Sequence, residues 1–264
     1  MPLPALPLDA DPDADAEIRA RSIAKYGHRA AAYDPSCGPT WPIRERAVAG
    51  LALRDGERVL DVGCGTGLCL PMLRAAVGAA GRVYGCDQSP PMLAQASARV
   101  AAAGWGNVQL LGVAAQEVVL PEPVDALLFH YTHDILRSPF ALDALLRCAA
   151  PGARVAVAGI KYFPRWLAPA NLWVYLKNRG YNGAPGELAT PWDRIAPRLA
   201  GWRIESTQFG MGYLAFGSVP SAAPPWRRAE PSANVAPAPA PGGASPETAV
   251  GLAPACRDAV PTQR

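Results

Sequence analysis

Residues 58–67, RVLDVGCGTG, constrain the fold of this chain more than any other stretch. Arg58–Val62 is a short apolar run broken by one acid, Asp61, as expected of a strand buried on both faces. Gly63, Gly65 and Gly67 then alternate with Cys64 and Thr66, and an apolar helical pattern begins near Leu68. Glycines at a strand-to-helix turn let the backbone approach a ligand closely and leave helix N–H groups pointing at it. The spacing is GxGxG. It is neither the GxGxxG of a dinucleotide fingerprint nor the GxxxxGKS/T of a phosphate-binding P-loop.

The pattern continues in alternation. Further strands are expected over Arg82–Cys86, Val108–Gly112, Val124–Phe129 and Arg154–Ile160. Helices are expected over Leu68–Val77, from Pro90 to Ala103 behind an Ser89 N-cap, and from Ser138–Pro139 to Ala150. Gly104 ends the second of these helices, and Pro151–Gly152 reads as a turn. Short continuous apolar strands between helices predict an α/β fold with a parallel sheet covered on both faces. The end of the pattern differs. Trp202–Gln208 and Gly212–Gly217 are separated only by Phe209–Met211, too short a link for a parallel crossover, so they predict an antiparallel hairpin. Asp87 closes the second strand, where a carboxylate can accept both hydroxyls of an adenosine ribose.

Composition sets the limits around this core. The chain has 264 residues, half of them hydrophobic, enough for one large α/β domain. A net charge of +3 without a long basic run argues against nucleic acid as partner. No apolar run approaches the roughly 20 residues that span a bilayer. The N-terminus lacks the cationic start and long apolar stretch of a secretory signal, so a cytoplasmic location is expected. The six cysteines form no CxxC pair; they are expected as reduced, buried thiols, with no metal site. Residues 1–14 read as a disordered N-terminus, 15–217 as the folded domain and 218–264, rich in Pro and Ala, as a disordered tail.

VLDVGCGTGLCLPML followed by VYGCDQSPPMLAQA resembles motifs I and II of the class I S-adenosylmethionine-dependent methyltransferases, of the small-molecule type that includes quinone-biosynthesis and phospholipid methyltransferases. The resemblance covers roughly residues 45–217. It implies a Rossmann-like, seven-stranded, mostly parallel sheet with an antiparallel last strand and helices on both faces. It also implies S-adenosyl-L-methionine as cofactor. By the family's pattern Gly63, Cys64, Gly65, Thr66 and Gly67 line the cofactor, and Asp61 orients its amino group. Asp87, with Gln88 beside it, holds the ribose, and Met92 covers the adenine. The Gly-Asp-Ala that often follows the third strand is absent. The chain reads LGVAAQE there, leaving Gln116, Glu117 or a backbone carbonyl for the adenine contact.

Acceptors in open α/β sheets bind beyond the carboxyl ends of the strands. The fourth strand ends in Phe129-His130-Tyr131-Thr132-His133-Asp134. His130 and His133 are the candidate catalytic bases or orienting groups, since imidazole titrates in the useful range, and His130 also reaches the cofactor; the alternative is that one caps the following helix while the other hydrogen-bonds to backbone. His28 reads as surface. The stretch 161–190 is long for a connection and carries Tyr162, Phe163, Trp166, Trp173, Tyr175 and Tyr181 between Arg165, Lys177 and Arg179. It suggests a lid over a small apolar or aromatic acceptor, or a helix packed on the core, and the mixture can also meet a membrane surface. Residues 15–34 read as a helix; the resemblance implies that it closes over the cofactor with Tyr26 or Tyr33 against it, and the alternative is a simple packing helix. Two alternatives to a methyltransferase remain: a catalytically inactive protein that keeps the cofactor fold as a scaffold, and an NAD(P)-dependent oxidoreductase. The GxGxG spacing, the terminal hairpin and the lack of a Tyr-x-x-x-Lys pair speak against the second. Oligomeric state is not legible.

Overall fold

The computed structural model describes residues 30–164, 166–178 and 188–221, with Asp13, Ala16, Glu17, Arg19, Ala20 and Ile23 ahead of them. The expectations for Tyr26, His28, Tyr181 and the tail from 222 onward lie outside the described residues.

The strands are β1 (Arg58–Val62), β2 (Arg82–Cys86), β3 (Val108–Leu111), β4 (Val124–His130), β5 (Ala149–Ile160), β6 (Ala200–Thr207) and β7 (Gly212–Ser218). They form one sheet in the order β3-β2-β1-β4-β5-β7-β6. The first five pair in parallel. β7 is antiparallel to both β5 and β6, so it alone reverses. The expected hairpin is β6–β7, and β7 turns back to insert between β6 and β5.

The helices are α1 (Ala30–Ser36), α2 (Trp41–Gly50), α3 (Leu70–Val77), α4 (Pro90–Ala102), α5 (His133–Arg137), α6 (Pro139–Arg147) and α7 (Ala168–Asn178). Successive strand residues point to opposite faces, and the core divides accordingly. Leu60, Val62, Tyr84 and Phe129 pack on one side with Leu142 and Leu145 of α6. Val59, Val83 and Leu128 pack on the other with Ala47 of α2, Leu70 and Leu73 of α3 and Ala96 of α4. This two-sided burial is why the inner strands read as unbroken apolar runs. By the same alternation Asp61 falls on the α2 side, with Val59.

Two local readings change. The Pro151–Gly152 turn lies inside β5: the pairing jumps from Val124↔Ala149 to Ala126↔Arg154, and the extra residues bulge out with Gly152 at φ +79°. Ser89 stands at the N-cap position of α4, yet its side chain caps nothing. Ser138 does cap α6, accepting from the Ala141 N–H at 3.1 Å. Among the described residues Cys37, Cys64, Cys69, Cys86 and Cys148 are free thiols, and the first four are buried.

Candidate functional site

The glycine loop leaves β1 through backbone conformations that side chains resist. Gly63 has φ +63°, and a Cβ there would lie 2.6 Å from Cγ2 of Thr132. Gly65 has φ +57°, and a Cβ on it would meet nothing within 4 Å, because it faces an open cleft. Its N–H donates to Oδ2 of Asp87 at 2.9 Å, and the Ser89 N–H donates to Oδ1 at 2.8 Å. The second-strand acid is thereby locked over the loop with a lone pair free on each oxygen. Burial raises the Asp87 pKa, and the two N–H donors pull it back.

A cleft of about 980 Å³, counted to its open mouth, runs across the carboxyl ends of β1, β2 and β4. Of the residues expected from sequence, Gly63, Gly65, Asp87, Gln88, Met92, Gln116, His130 and His133 line it. Asp61, Cys64 and Thr66 line a smaller pocket beside it, of about 310 Å³, which Gly63, Gly65 and His130 also border. Gly67 lines neither; a Cβ there would strike Leu70 at 2.7 Å, so its role is packing of the loop on α3 and α4. Glu117 does not line the cleft but meets Arg19, which does, at 3.5 Å. Tyr33 of α1 borders both pockets.

The smaller pocket holds a residue that the sequence did not single out. Arg44, on α2, is 4% exposed, and its Nε and Nη1 have no partner. Its guanidinium lies by the Cys69 thiol and 5.5 Å from the Trp41 ring centroid. Asp61, 1% exposed, has Oδ2 unpartnered as well. Burial pushes its carboxyl up to about 7, against the pull of Arg44. Nε2 of His130 is the third orphan. Buried polar groups are normally paired, because each unpaired one costs about 1–3 kcal/mol. A cation, an acid and an imidazole that each keep an unpartnered atom around one pocket are a site suited to a polar, zwitterionic ligand. The donors fit the amino-acid end of S-adenosylmethionine, and Asp87 fits its ribose.

The two histidines do not behave alike. Burial drives the His130 pKa well below its ordinary value, with Arg44 adding to the effect, so it is neutral at physiological pH. His133 is tied to the end of β5: its Nε2 accepts the Ile160 N–H at 3.0 Å. The expectation of two imidazoles titrating near neutrality is corrected for His130, and Nε2 of His133 is occupied. Tyr131, between them, has φ +61°, unusual for a bulky residue and a mark of strain held at a functional site. Its hydroxyl donates to Oε1 of Gln208 at 3.3 Å, and burial pushes its pKa up to about 12.

A clasp closes the loop from outside. Asp34 accepts from the Thr66 hydroxyl at 2.5 Å and from Arg99 Nη2 at 2.7 Å; Arg99 Nε also donates to the Thr66 carbonyl at 3.2 Å. Among the described residues, none of the aromatics after β5 lines the cleft. Tyr162 and Phe163 pack on a small cluster with Ile160 and Val174, while Trp166 and Trp173 are exposed.

Comparison with known proteins agrees with this geometry. Residues 59–152 match the family model described as a methyltransferase domain. Aklanonic acid methyltransferase DauC from Streptomyces sp. (strain C5) is 36% identical over 95 residues, covering 36% of this chain and 42% of the relative. A 2-phytyl-1,4-naphtoquinone methyltransferase from Synechococcus elongatus is 30% identical over 144 residues, covering 48% of this chain and 61% of the relative. The chain thus spans less than two thirds of the length of these relatives. The structure of N-methyltransferase NodS from Bradyrhizobium japonicum WM9 with S-adenosyl-L-homocysteine shares the fold at a TM-score of 0.55 and 16% identity, covering 75% of this chain and 98% of that one. The glycine loop and the second-strand acid thus lie within residues 59–152, the stretch that matches a methyltransferase domain, and the sheet with only β7 reversed is carried on the fold shared with that N-methyltransferase.

Proposed function

We propose that this chain methylates a small apolar or aromatic acceptor bound at the carboxyl end of β4. The observation that carries the reading is the open continuity of the cleft. Its polar, orphan-lined pocket adjoins a cleft that has room for the ribose and adenine beside Asp87, Met92 and Gln116 and that continues past Tyr131 and His133 at the end of β4, and His130 borders both. None of the described aromatics of 162–175 lines the cleft, as a non-catalytic scaffold with a plugged cavity would require.

When bound, S-adenosylmethionine supplies an electrophilic sulfonium methyl. Arg44 would hold its carboxylate, Asp61 its ammonium and Asp87 its ribose. Gly63 and Gly65 leave room for close backbone approach. The rest of the work is placement and exclusion of water, and alignment alone can supply ~7–11 kcal/mol. Neutral His130 has an unpartnered Nε2 at the junction of the two pockets, suited to accept a hydrogen bond from the acceptor. The Tyr131 hydroxyl is protonated at neutral pH. Several of the relatives carry names that specify a quinone, demethylmenaquinone or 2-phytyl-1,4-naphtoquinone, which supports an acceptor of that kind here.

Calorimetry with S-adenosylmethionine and S-adenosylhomocysteine tests the cofactor site, with NAD as control and Asp87→Ala as site variant. Micromolar binding of the first two, lost in the variant, is expected, followed by methylation of a quinol from a small panel. Preference for NAD, or no binding, rejects the reading.

A further inference from the structure

Strand β6 ends the sheet, and among the described residues no strand pairs with its outer edge. The inner strands are buried on both faces, but β6 is not: of Ala200–Thr207 only Thr207 is buried and Trp202 half-buried. An open edge presents a row of unpaired N–H and C=O groups to any strand that fits, and folded proteins blunt such edges with bulges and with charge. β6 has both. A bulge occupies its start, where Ala200 pairs with Ser218 and Arg203 with Phe216, and Gly201 takes φ +61°. From Arg203 to Thr207 the ladder is regular. This stretch carries two charges, and they have opposite signs.

Arg203 and Glu205 are two residues apart, so they point to the same face of the sheet. The Arg203 guanidinium lies over the Phe216 ring, 4.7 Å from its centroid, and has no carboxylate partner among the described residues. Glu205 accepts from Arg46 through Oε2 alone, and its side chain is 46% exposed. A cation without an acid thus stands beside an acid with an open oxygen. Ile204 points to the opposite face and is 41% exposed.

We infer that two copies of this chain join edge to edge through β6, antiparallel and centred on Ile204, so that their sheets run on into one. A two-fold axis normal to the sheet keeps each face on its own side, so residues opposed across it are the same residue or an even number apart. Centred on Arg203, the axis sets arginine against arginine. Centred on Glu205, it sets acid against acid. Centred on Ile204, it sets Arg203 of each copy against Glu205 of the other, twice, with the two Ile204 side chains together on the far face. Opposite charges directly across an antiparallel pair stabilise it, and like charges destabilise it. The charges that guard this edge therefore admit its own copy in one register. The shared ladder is short, so the association belongs to the weak, reversible class. It does not rest on the proposed methyl transfer, because pairing needs neither cofactor nor acceptor.

The test is sedimentation velocity on the full chain from micromolar to hundreds of micromolar concentration, where a monomer–dimer equilibrium is expected. Arg203→Glu makes the regular edge wholly acidic, and Glu205→Arg makes it wholly basic. Each is expected to weaken the dimer about tenfold or more while melting close to the parent chain by circular dichroism. Mixed one to one, these two variants complement each other at both positions, and the mixture is expected to dimerise about as well as the parent. The exchange variant carrying both substitutions is expected to pair with itself. A damaged fold would regain neither. A parent chain that stays monomeric throughout overturns the inference. So do single variants that dimerise undiminished, or a mixture and an exchange variant that both stay monomeric.

Discussion

Asp61 is a carboxyl with its folded pKa raised to about 7 by burial, and two consequences follow. A carboxyl that holds its proton more tightly when folded than when unfolded costs stability as pH rises from the unfolded value near 4 to about 7. Asp61→Asn is therefore expected to raise the ligand-free melting temperature at pH 8 and to leave it nearly unchanged at pH 4. Ligand binding has the opposite dependence. The ionised form meets the ammonium of S-adenosylmethionine, and the ionised fraction grows from about a tenth at pH 6 to about a half at pH 7. Affinity for S-adenosylmethionine is expected to rise about fivefold between these values, below the range where the ligand's own amine titrates. In Asp61→Asn calorimetry should give weaker, pH-independent binding. A flat profile in the parent chain would show that Asp61 does not face the ammonium. At this scale Asp61, Gly63, Gly65 and Asp87 were readable from sequence, because an acid and glycines at a strand exit have few other uses. Arg44 was not. It sits in WPIRERAV beside Arg46, which pairs with Glu205 at 2.5 Å on the surface, and only the packing of α2 on the sheet tells the two apart.

Among the elements, the loop after β1 separates two uses of glycine. Gly63 is left-handed with Thr132 in the way of any Cβ; Gly65 is left-handed with open space beyond it. An alanine at either position carries left-handed strain of roughly 1–2 kcal/mol. Gly63→Ala adds the clash with Thr132 and is expected to lower stability by about 2–3 kcal/mol. Gly65→Ala is expected to cost only the strain, but to weaken S-adenosylmethionine by about tenfold or more, since its methyl enters the ligand's space. Denaturant melts and calorimetry on the pair give the contrast, and equal stability losses would contradict it. The sheet itself was legible in the same way. Its two-sided burial makes unbroken apolar runs, and the short 208–211 link forces β6 and β7 antiparallel. The bulge in β5 was hidden because Pro151 and Gly152 carry the signature of a turn, and the strand pairs on either side of them. The two histidines after β4 were found without their roles, because what distinguishes them is a contact with Ile160, 27 residues from His133.

At the scale of the whole molecule, the site is assembled from distant pieces that the parallel sheet brings to one end, and Asp34 is where they are tied. Its carboxylate joins α1 to the glycine loop through Thr66 and to α4 through Arg99. Tyr33, its neighbour, borders both pockets. Ligand binding should therefore tighten α1, the loop and α4 as a unit. At about 100 times its Kd a ligand stabilises the folded state by ~2.7 kcal/mol, which for a domain of this size is a rise of roughly 5–10 °C in melting temperature. Asp34→Ala removes an ion pair about one third exposed and a hydroxyl contact, so the ligand-free loss is expected to be small, about 1 kcal/mol or a few degrees. The larger effect falls on the coupling. With α1 untied, part of the binding energy is used to order it, and the rise produced by the same concentration of S-adenosylmethionine is expected to shrink by about half. Asp34→Asn, which still accepts from Thr66 but no longer balances Arg99, should fall between. Parent and Asp34→Ala chains that gain the same number of degrees would show the clasp to be a surface contact outside the cycle of binding, and Tyr33 would then owe its place to packing alone.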